Sequence, residues 1–510
     1  MTSSLDHLRR QAKALRKAIA AGDAAARNRL QTVFPGKTEA QHADALHVIA
    51  REAGFASWPK LKFAREALSM DRAEQAMRLR TALYFGQHWV VASLLEDTPD
   101  LAGEDLGLAI ALYDRDLVEA ALSQDPGAAT RPILDRPPLC HLAFSQHLHG
   151  GGREADMLAV ARALHAAGAD VNATYNHDND PNAPLSCVYG AIGHGNNMAL
   201  GRWLLEHGAD PNDGESLYHA TELGHHTGLQ MLLDHGARPE GTNALPRALD
   251  FNDHTAVRML LDAGADPNEG IQPHSSGEPS FVVPALHQAA RRMCDGAMID
   301  LLIDRGADPS KPYRETTPYA VARVYGNGDA AARIAAAGGD AGLSPEEALL
   351  AKAADDDLPK GAFLDPAKLP LEFRNLLRSL LHLPERLPHL KRLVAIGLEY
   401  DRPDEIGLTP VQVAGWEGLP DVMSFFLEQK PDLSHVNGYG GTLLSTIIHG
   451  SENCPARDTR DHIECARRAL VEGVALPIKA IQYAGDEAMA AFLADWGEAH
   501  PGQVVDNGVY

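Results

Sequence analysis

The phrase Gly168-Ala169-Asp170 recurs along this chain as Gly208-Ala209-Asp210, Gly236-Ala237-Arg238, Gly264-Ala265-Asp266 and Gly306-Ala307-Asp308. Its copies are separated by 40, 28, 28 and 42 residues, and each follows a leucine-rich stretch. Self-similarity at such a period is typical of proteins built from stacked supersecondary units. The phrase therefore predicts a repeat array, which accounts for a chain of 510 residues without one very large core.

The stretch between the second and third copies shows what one unit contains. Residues 216–224 and 227–235 each carry apolar residues at helical spacing, which predicts two short helices. Gly236 follows the second helix, at a position where a left-handed backbone commonly ends a helix, and Pro239 prevents continuation. The unit is thus a helix pair closed by the phrase, and the expected fold class is all-α.

Two further segments carry a family resemblance. Residues 317–322 (Thr-Pro-Tyr-Ala-Val-Ala) and 407–418 look like the opening of an ankyrin repeat, and Gly-Ala-Asp followed by Pro-Asn looks like its close. The resemblance implies an ankyrin-repeat solenoid of roughly ten to twelve helix pairs, several of them degenerate. With its Phe55-Ala56-Ser57-Trp58-Pro59 segment, the chain resembles bacterial ankyrin-repeat proteins with a short helical N-terminal module. That resemblance implies no established activity.

Helical periodicity and the resemblance divide the chain into three parts. We expect an N-terminal helical module at 1–70, an ankyrin-repeat array at 71–500 and a tail at 501–510. Within the array, the repeats are clear at 155–340 and 405–450 and degenerate at 340–400. Insertions lengthen the connections at 147–156, 174–184, 271–284 and 450–461. A specific function is most readily added at such insertions.

The charge balance limits the possible partners. The chain has 69 acidic and 46 basic residues, a net charge of −23, which would repel a phosphate backbone unless the basic side chains were segregated. We therefore expect no nucleic-acid binding. One basic cluster on the first predicted helix is interpreted as a solvated helix face; it consists of Arg9, Arg10, Lys13, Arg16 and Lys17.

Cysteine usage and hydropathy suggest a location. The five cysteines are scattered without a CxxC pair, which indicates a reducing compartment and neither a disulfide framework nor a zinc site. Met1 is followed by polar residues, and no apolar run is long enough to span a membrane. The prediction is a cytoplasmic protein that does not enter a membrane. Since no dinucleotide or phosphate-loop motif is present, we expect no cofactor and no metal.

Because stacked units keep their register, residues at one repeat position form a line across neighbouring units. Aligning the units places His219, Arg247 and Gln288 at one outward position of the first helix. Three residues later, one helical turn along the same face, come Glu222, Asp250 and Arg291. We define the acid–base band as His219, Glu222, Arg247, Asp250, Arg291 and Arg292. His194, Trp416 and His449 fall at or near the same rows, in a less secure register.

The band admits three interpretations: solvent-screened ion pairs, a binding groove, or a catalytic site. The absence of a catalytic motif favours a non-enzymatic ankyrin scaffold that binds a protein partner in its concave groove. The alternative is an enzyme or small-molecule binder whose site is the acid–base band. In that site, arginines would hold a small anionic ligand while His219, Glu222 or Asp250 transfers a proton. A further possibility is self-association through an exposed end of the stack.

Several other residues have structural explanations. His287 matches the ankyrin position whose histidine hydrogen-bonds a turn, and Tyr189 and Tyr218 occupy the same position. His141 beside Cys140 lacks the paired ligands of a zinc site. Cys454 near His449 suggests a nucleophile, yet no activating base is identifiable.

Overall fold

The computed structural model describes residues 5–40, 42–134, 136–176, 184–270 and 283–506. The predicted insertions at 174–184 and 271–284 therefore lie largely outside the described residues, as do residues 507–510 of the predicted tail. The chain divides into two units. The first unit contains Met1–Arg65, Arg323–Gly326 and Gly342–Tyr510, and the second contains Glu66–Ala322 and Asn327–Ala341.

The first unit begins with α1 (Leu5–Ala20), α2 (Ala24–Val33), α3 (His42–Glu52) and α4 (Trp58–Ala67). Helix α1 buries Leu8, Ala12, Leu15 and Ile19, whose spacing places them on one face. This face packs on α3, and α3 also packs on the last helix of the chain, α30 (Glu487–Ala499). The N-terminal helices thus pack within the unit that also holds the C-terminal part of the chain. The domain boundary proposed at residue 70 stays a prediction.

The second unit consists of short helices that pack in consecutive pairs. They are α5 (Arg72–Tyr84), α6 (His88–Asp97), α7 (Leu106–Ala111), α8 (Arg115–Gln124), α9 (Pro138–Ala143), α10 (Glu154–Ala166), α11 (Cys187–Tyr189), α12 (Met198–Glu206), α13 (Ser216–Ala220), α14 (Thr227–Asp234), α15 (Ala244–Asp250), α16 (His254–Asp262), α17 (Ala285–Arg291), α18 (Gly296–Asp304), α19 (Pro318–Tyr325) and α20 (Gly328–Ala336). Helix α19 ends in the first unit. A π-helical turn, Gly190–His194, continues α11. Two strands, β1 (Thr174–Asn176) and β2 (Pro184–Ser186), form an antiparallel pair.

Helices α16 and α14 show how the sequence sets the start and the end of a second helix. In α16, the Asp253 carboxylate accepts hydrogen bonds from the backbone N–H groups of Thr255 and Ala256, which caps the N-terminus. After α14, Gly236 adopts a left-handed φ of +90°. Helix α14 ends within one residue of its predicted end. Helix α13 was expected to reach Gly224 but ends at Ala220, where the Thr221 hydroxyl donates to the carbonyl of Tyr218.

After three of the five copies of the phrase, an asparagine two residues further on joins the turn to the next turn. Asn268 donates to the carbonyl of Gly306 (2.8 Å) and accepts from the amide of Asp308 (2.7 Å). Asn172 and Asn212 make the same two hydrogen bonds to the following turns. We call this pair of bonds the turn bridge. Glu240 occupies the corresponding position after Gly236, and there Glu269 accepts from the amide of Gly241 instead.

The C-terminal part of the first unit is also helical. Its helices are α21 (Pro345–Asp355), α22 (Leu371–Arg374), α23 (Leu376–Leu381), α24 (Leu387–Ala395), α25 (Pro410–Trp416), α26 (Pro420–Glu428), α27 (Leu443–Asn453), α28 (His462–Val471), α29 (Ile478–Tyr483) and α30. The region expected to hold degenerate repeats, 340–400, carries α21 to α24. Strand β3 (Leu476–Pro477) pairs in parallel with β4 (Val504–Val505), inside the segment predicted to be a tail. The fold is an all-α helical-repeat solenoid with minor strand pairs.

Candidate functional site

The candidate site lies on three consecutive first helices of the second unit. Helix α13 packs on α15, and α15 packs on α17. Their fourth residues are His219, Arg247 and Gln288, the register expected from the repeat alignment. The shared register brings side chains from separate repeats within hydrogen-bond distance.

His219 lies between two carboxylates. Its Nδ1–H donates to Glu222 Oε2 (2.7 Å), and its Nε2 lies 3.4 Å from Glu215 Oε2. Burial alone lowers the pKa of His219, but the hydrogen bonds to Glu215 and Glu222 outweigh it and raise the pKa to about 9. His219 is therefore an imidazolium at neutral pH.

Arg247 joins two neighbouring turns of the band. Its Nε donates to Glu222 Oε1 (2.7 Å), and its Nη1 donates to Asp250 Oδ2 (2.8 Å). Burial by itself raises the pKa of Glu222, but the partners His219 and Arg247 lower it overall. Since both oxygens of Glu222 accept charge-assisted hydrogen bonds, it remains a carboxylate.

Asp250 is the most buried acid of the band, with its side chain 6% exposed. Its Oδ1 accepts from Gln288 Nε2 (2.5 Å) and lies 3.1 Å from Arg292 Nε. Gln288 was expected to point outward, but it is buried because its amide bonds inward to Asp250. Arg291 is half-buried at the end of α17, and its charge contributes to the low pKa of His287.

Aromatic side chains contact this network. The guanidinium of Arg247 is 4.8 Å from the ring centre of Phe251 and 5.6 Å from that of Tyr218. The rings of Tyr189 and Tyr218 each lie 4.9 Å from the His219 ring. Phe251 is 52% exposed, so much of its ring remains accessible beside the Arg247 cation.

The network is balanced in charge. Three carboxylates, Glu215, Glu222 and Asp250, face three cations, His219, Arg247 and Arg292, and they are linked in one chain of contacts. Both ring nitrogens of His219 face carboxylates, so it has no vacant position from which to accept a proton near neutral pH. The arrangement suits recognition through paired charges better than proton transfer.

His194 occupies a different environment from the band. Its Nε2–H donates to the carbonyl of Tyr84 (2.9 Å), and its ring lies 4.3 Å from Tyr84 and 5.4 Å from Phe144. These contacts place His194 in an aromatic cluster. The π-helical turn that carries it is the inserted feature that made its register insecure.

Trp416 and His449 lie in the first unit, whereas the band lies in the second. Their rings are 5.1 Å apart. Beside them, Glu417 accepts from His382 Nδ1 (2.8 Å) and lies 4.0 Å from the thiol of Cys454. Burial raises the pKa of Cys454, so the thiol stays protonated and is a poor nucleophile, as the sequence suggested.

Two buried histidines form hydrogen bonds with backbone carbonyls. His287 Nε2–H donates to the carbonyl of Thr316 (3.2 Å), and His141 Nε2–H donates to that of Ile133 (3.1 Å). Burial lowers the pKa of each to about 4, which keeps both rings neutral. The turn-stabilising role predicted for His287 agrees with this geometry.

Among the residues that the structure describes, no group of three or more His, Cys, Asp or Glu side chains is arranged to hold a metal ion. Over the same residues, no helix combines the length and apolar character that crossing a bilayer requires. The five cysteines are free and buried.

Comparison with known proteins identifies the repeats. A family model described as ankyrin repeats, in three copies, matches residues 188–270. The chain contains ankyrin repeats. The match covers α12 to α16 and thus includes most of the acid–base band.

A solved structure and the curated proteins add less. An ankyrin repeat domain from Acinetobacter baumannii AYE is 22% identical, and the likeness covers 40% of this chain and 98% of that one, with a TM-score of 0.31. A likeness at that TM-score is too low to bear on the fold. No curated protein matches the chain.

The sequence missed two members of the site. Glu215 immediately precedes α13 and Phe251 immediately follows α15, so neither falls on the helical rows that were aligned. An alignment extended one residue beyond each helix end would have placed both beside the band. Exposure of Phe251 has no sequence signal, because phenylalanine at such a position usually indicates core packing.

Proposed function

We propose that the ankyrin repeats of the second unit bind a protein partner through the face that carries the acid–base band. The observation that supports this proposal is the pairing of Arg247 with the exposed ring of Phe251, 4.8 Å away. Arginine and aromatic residues are the types that most often dominate binding energy at protein interfaces. Ankyrin repeats are typical of protein-interaction scaffolds, in agreement with this surface.

The proposed contact surface has an apolar centre, Phe251, surrounded by charged residues of the acid–base band. Covering the exposed half of Phe251 is worth about 1 kcal/mol. A partner lying there would also remove water from the Glu222–Arg247 pair, which strengthens that pair and fixes the orientation of the partner. Since the chain carries a net charge of −23, we expect a partner with basic or mixed charge.

The ankyrin resemblance implies that first helices such as α13, α15 and α17 line a concave groove, and we propose that the partner occupies it. We also propose a cytoplasmic location, because five buried free cysteines are typical of proteins from reducing compartments. The enzymatic alternative gains no support from the geometry of His219, whose nitrogens both face carboxylates.

The experiment compares affinity capture by the full chain and by two variants, Phe251→Ala and Arg247→Ala, from a lysate of the source cells. The control is Phe363→Ala, which removes a phenylalanine that is 75% exposed in the first unit. We expect at least one protein to be captured equally by the wild type and the control, and about ten-fold less by the other two variants. Circular dichroism would confirm that every variant is folded.

A captured protein would then be purified and titrated calorimetrically against the same four chains. The proposal is refuted if no protein is retained, or if capture and affinity are the same for Phe251→Ala, Arg247→Ala and the control. Loss of binding in Arg247→Ala alone, with Phe251→Ala unchanged, would also refute the apolar centre that the proposal requires.

A further inference from the structure

A cleft in the first unit collects the basic side chains of α1. It has a volume of 740 Å³ and lies between helices α1, α3 and α4 on one side and α29 and α30 on the other. Arg9, Arg10 and Lys13 line it from α1, and Lys62 lines it from α4. The volume is within the range of small-molecule sites in proteins.

The charged side chains that line the cleft have the opposite sign to the net charge of the chain. The described side chains that line it include four permanent cations and no carboxylate, in a protein with a net charge of −23. Two ion pairs, Lys13 with Glu498 and Arg16 with Asp495, tie α1 to α30. The basic cluster that the sequence suggested to be a solvated face therefore borders a cavity in part. Such segregation attracts anions locally despite the overall charge.

The other side chains that line the cleft are mainly apolar. Leu46 and Trp58 line it from α3 and α4, and both belong to the hydrophobic core of the N-terminal helices. From the other side come Ile481, Ala490 and Ala494. Because alanine side chains are small, α30 leaves space in the cleft. A ligand that fills this space needs an apolar body as well as a negative charge.

His42 supplies an independent indication of a ligand. It lines the cleft and is only 7% exposed, yet its Nδ1 has no hydrogen-bond partner within the described chain. Buried polar atoms are nearly always satisfied, so an orphan at the wall of a cavity calls for an explanation. Burial keeps the pKa of His42 below its ordinary value, so the ring is neutral.

We propose that this cleft binds a small amphipathic anion. Its carboxylate or phosphate head contacts Arg9, Arg10 and Lys62, and its apolar body lies against Leu46 and Trp58. Arginine holds such heads through two parallel hydrogen bonds. The site lies in the first unit and does not depend on the partner-binding face proposed for the second unit. A charged head and an apolar body occur both in a free fatty acid and in an anionic membrane lipid. Because helices bound the cleft on both sides, it favours a free fatty acid over a lipid within a bilayer.

The test is calorimetric titration of the full chain with decanoate, decanol and inorganic phosphate. Decanol keeps the apolar body without the charge, and phosphate keeps the charge without the body. We expect one decanoate per chain and binding of the other two probes at least about ten-fold weaker. A parallel cosedimentation with phosphatidylglycerol vesicles is expected to show no association.

Two variants and one control locate the site. The double variant Arg9→Gln, Arg10→Gln is expected to weaken decanoate binding about ten-fold or more, because it removes charge-assisted hydrogen bonds. Ala494→Leu fills the cleft and is expected to weaken binding similarly. Lys17→Gln is the matched control, since Lys17 is an exposed cation of the same helix that does not line the cleft.

Four outcomes would overturn the proposal. They are no decanoate binding, decanol binding as tight as decanoate, an equal loss in Lys17→Gln, and association with vesicles but not with monomeric decanoate. An equal loss in Lys17→Gln would show that the chain attracts anions through diffuse charge alone. Circular dichroism on Ala494→Leu and on the double variant separates loss of the site from loss of the fold.

Discussion

Replacing Asp250 by alanine removes the acceptor at the centre of the acid–base band. Its carboxylate accepts from Arg247 Nη1 (2.8 Å) and Gln288 Nε2 (2.5 Å), and it lies 3.1 Å from Arg292 Nε. Gln288 is buried, so its amide would lose its acceptor without gaining water. Arg247 would keep its bond to Glu222, and Arg292 would remain partly hydrated.

The expected cost follows from these contacts. An unsatisfied buried donor and one lost charge-assisted hydrogen bond each cost between about 1 and 2 kcal/mol, so Asp250→Ala should lower local stability by about 3 kcal/mol. Native-state hydrogen exchange measures the free energy of opening for each part of a chain. Amides of α15 and α17 should therefore exchange about a hundred-fold faster.

The matched control is Asp262→Ala. Asp262 also pairs with an arginine, Arg305, at 2.5 Å, but its side chain is 66% exposed, and exposed pairs contribute less than about 1 kcal/mol. Asp250→Asn keeps an acceptor for Gln288 and should show an intermediate effect. If Asp250→Ala and Asp262→Ala accelerate exchange equally, the view of the band as a partly desolvated network is wrong.

Three further changes test the band and the turns. The pKa of His219 is raised to about 9 from an ordinary 6.5, so its protonated form stabilises the fold fully below pH 6.5, and this contribution is lost as the pH rises through 9. The difference in unfolding free energy between wild type and His219→Gln should therefore shrink by about 2–3 kcal/mol from pH 6.5 to pH 10, measured by urea denaturation. Asn268→Ala removes a turn bridge and should cost about 1 kcal/mol by the same measurement. Glu240→Asn supplies the missing bridge and should add up to about 1 kcal/mol.

Two results would contradict these expectations. A difference between wild type and His219→Gln that stays constant across the pH range would mean that the two neighbouring carboxylates do not hold the proton. If Glu240→Asn destabilises the chain as much as Asn268→Ala does, the turn bridge is not a transferable element of the repeat.

The sequence predicted the helix pairs and the neighbours in the band for one physical reason. Stacked units repeat with a fixed translation, so residues at the same position, such as His219 and Arg247, are brought side by side. Periodicity does not determine which way a polar side chain turns. The inward orientation of the Gln288 side chain toward Asp250 therefore could not be predicted from the sequence.

Structural features that do not follow the repeat pattern could not be predicted from the sequence. The packing of α3 on α30 joins opposite ends of the chain, and nothing in local spacing encodes such a contact. His194 is the last residue of a π-helical turn, and its ring contacts Tyr84 and Phe144. The cleft of the first unit needed both the distant packing and the basic cluster, and only the cluster was visible in the sequence.

The turn bridge has a consequence for how this protein can change in length during evolution. The hydrogen bond from the asparagine to the glycine carbonyl spans different lengths of chain. It spans 36 residues from Asn172 to Gly208, 24 residues from Asn212 to Gly236 and 38 residues from Asn268 to Gly306. Its geometry is set by the two turns, so segments can be gained or lost between them while neighbouring helix pairs stay in place. One connection at a time can thus become longer during evolution and add new surface residues, while the packing of the other helix pairs is kept.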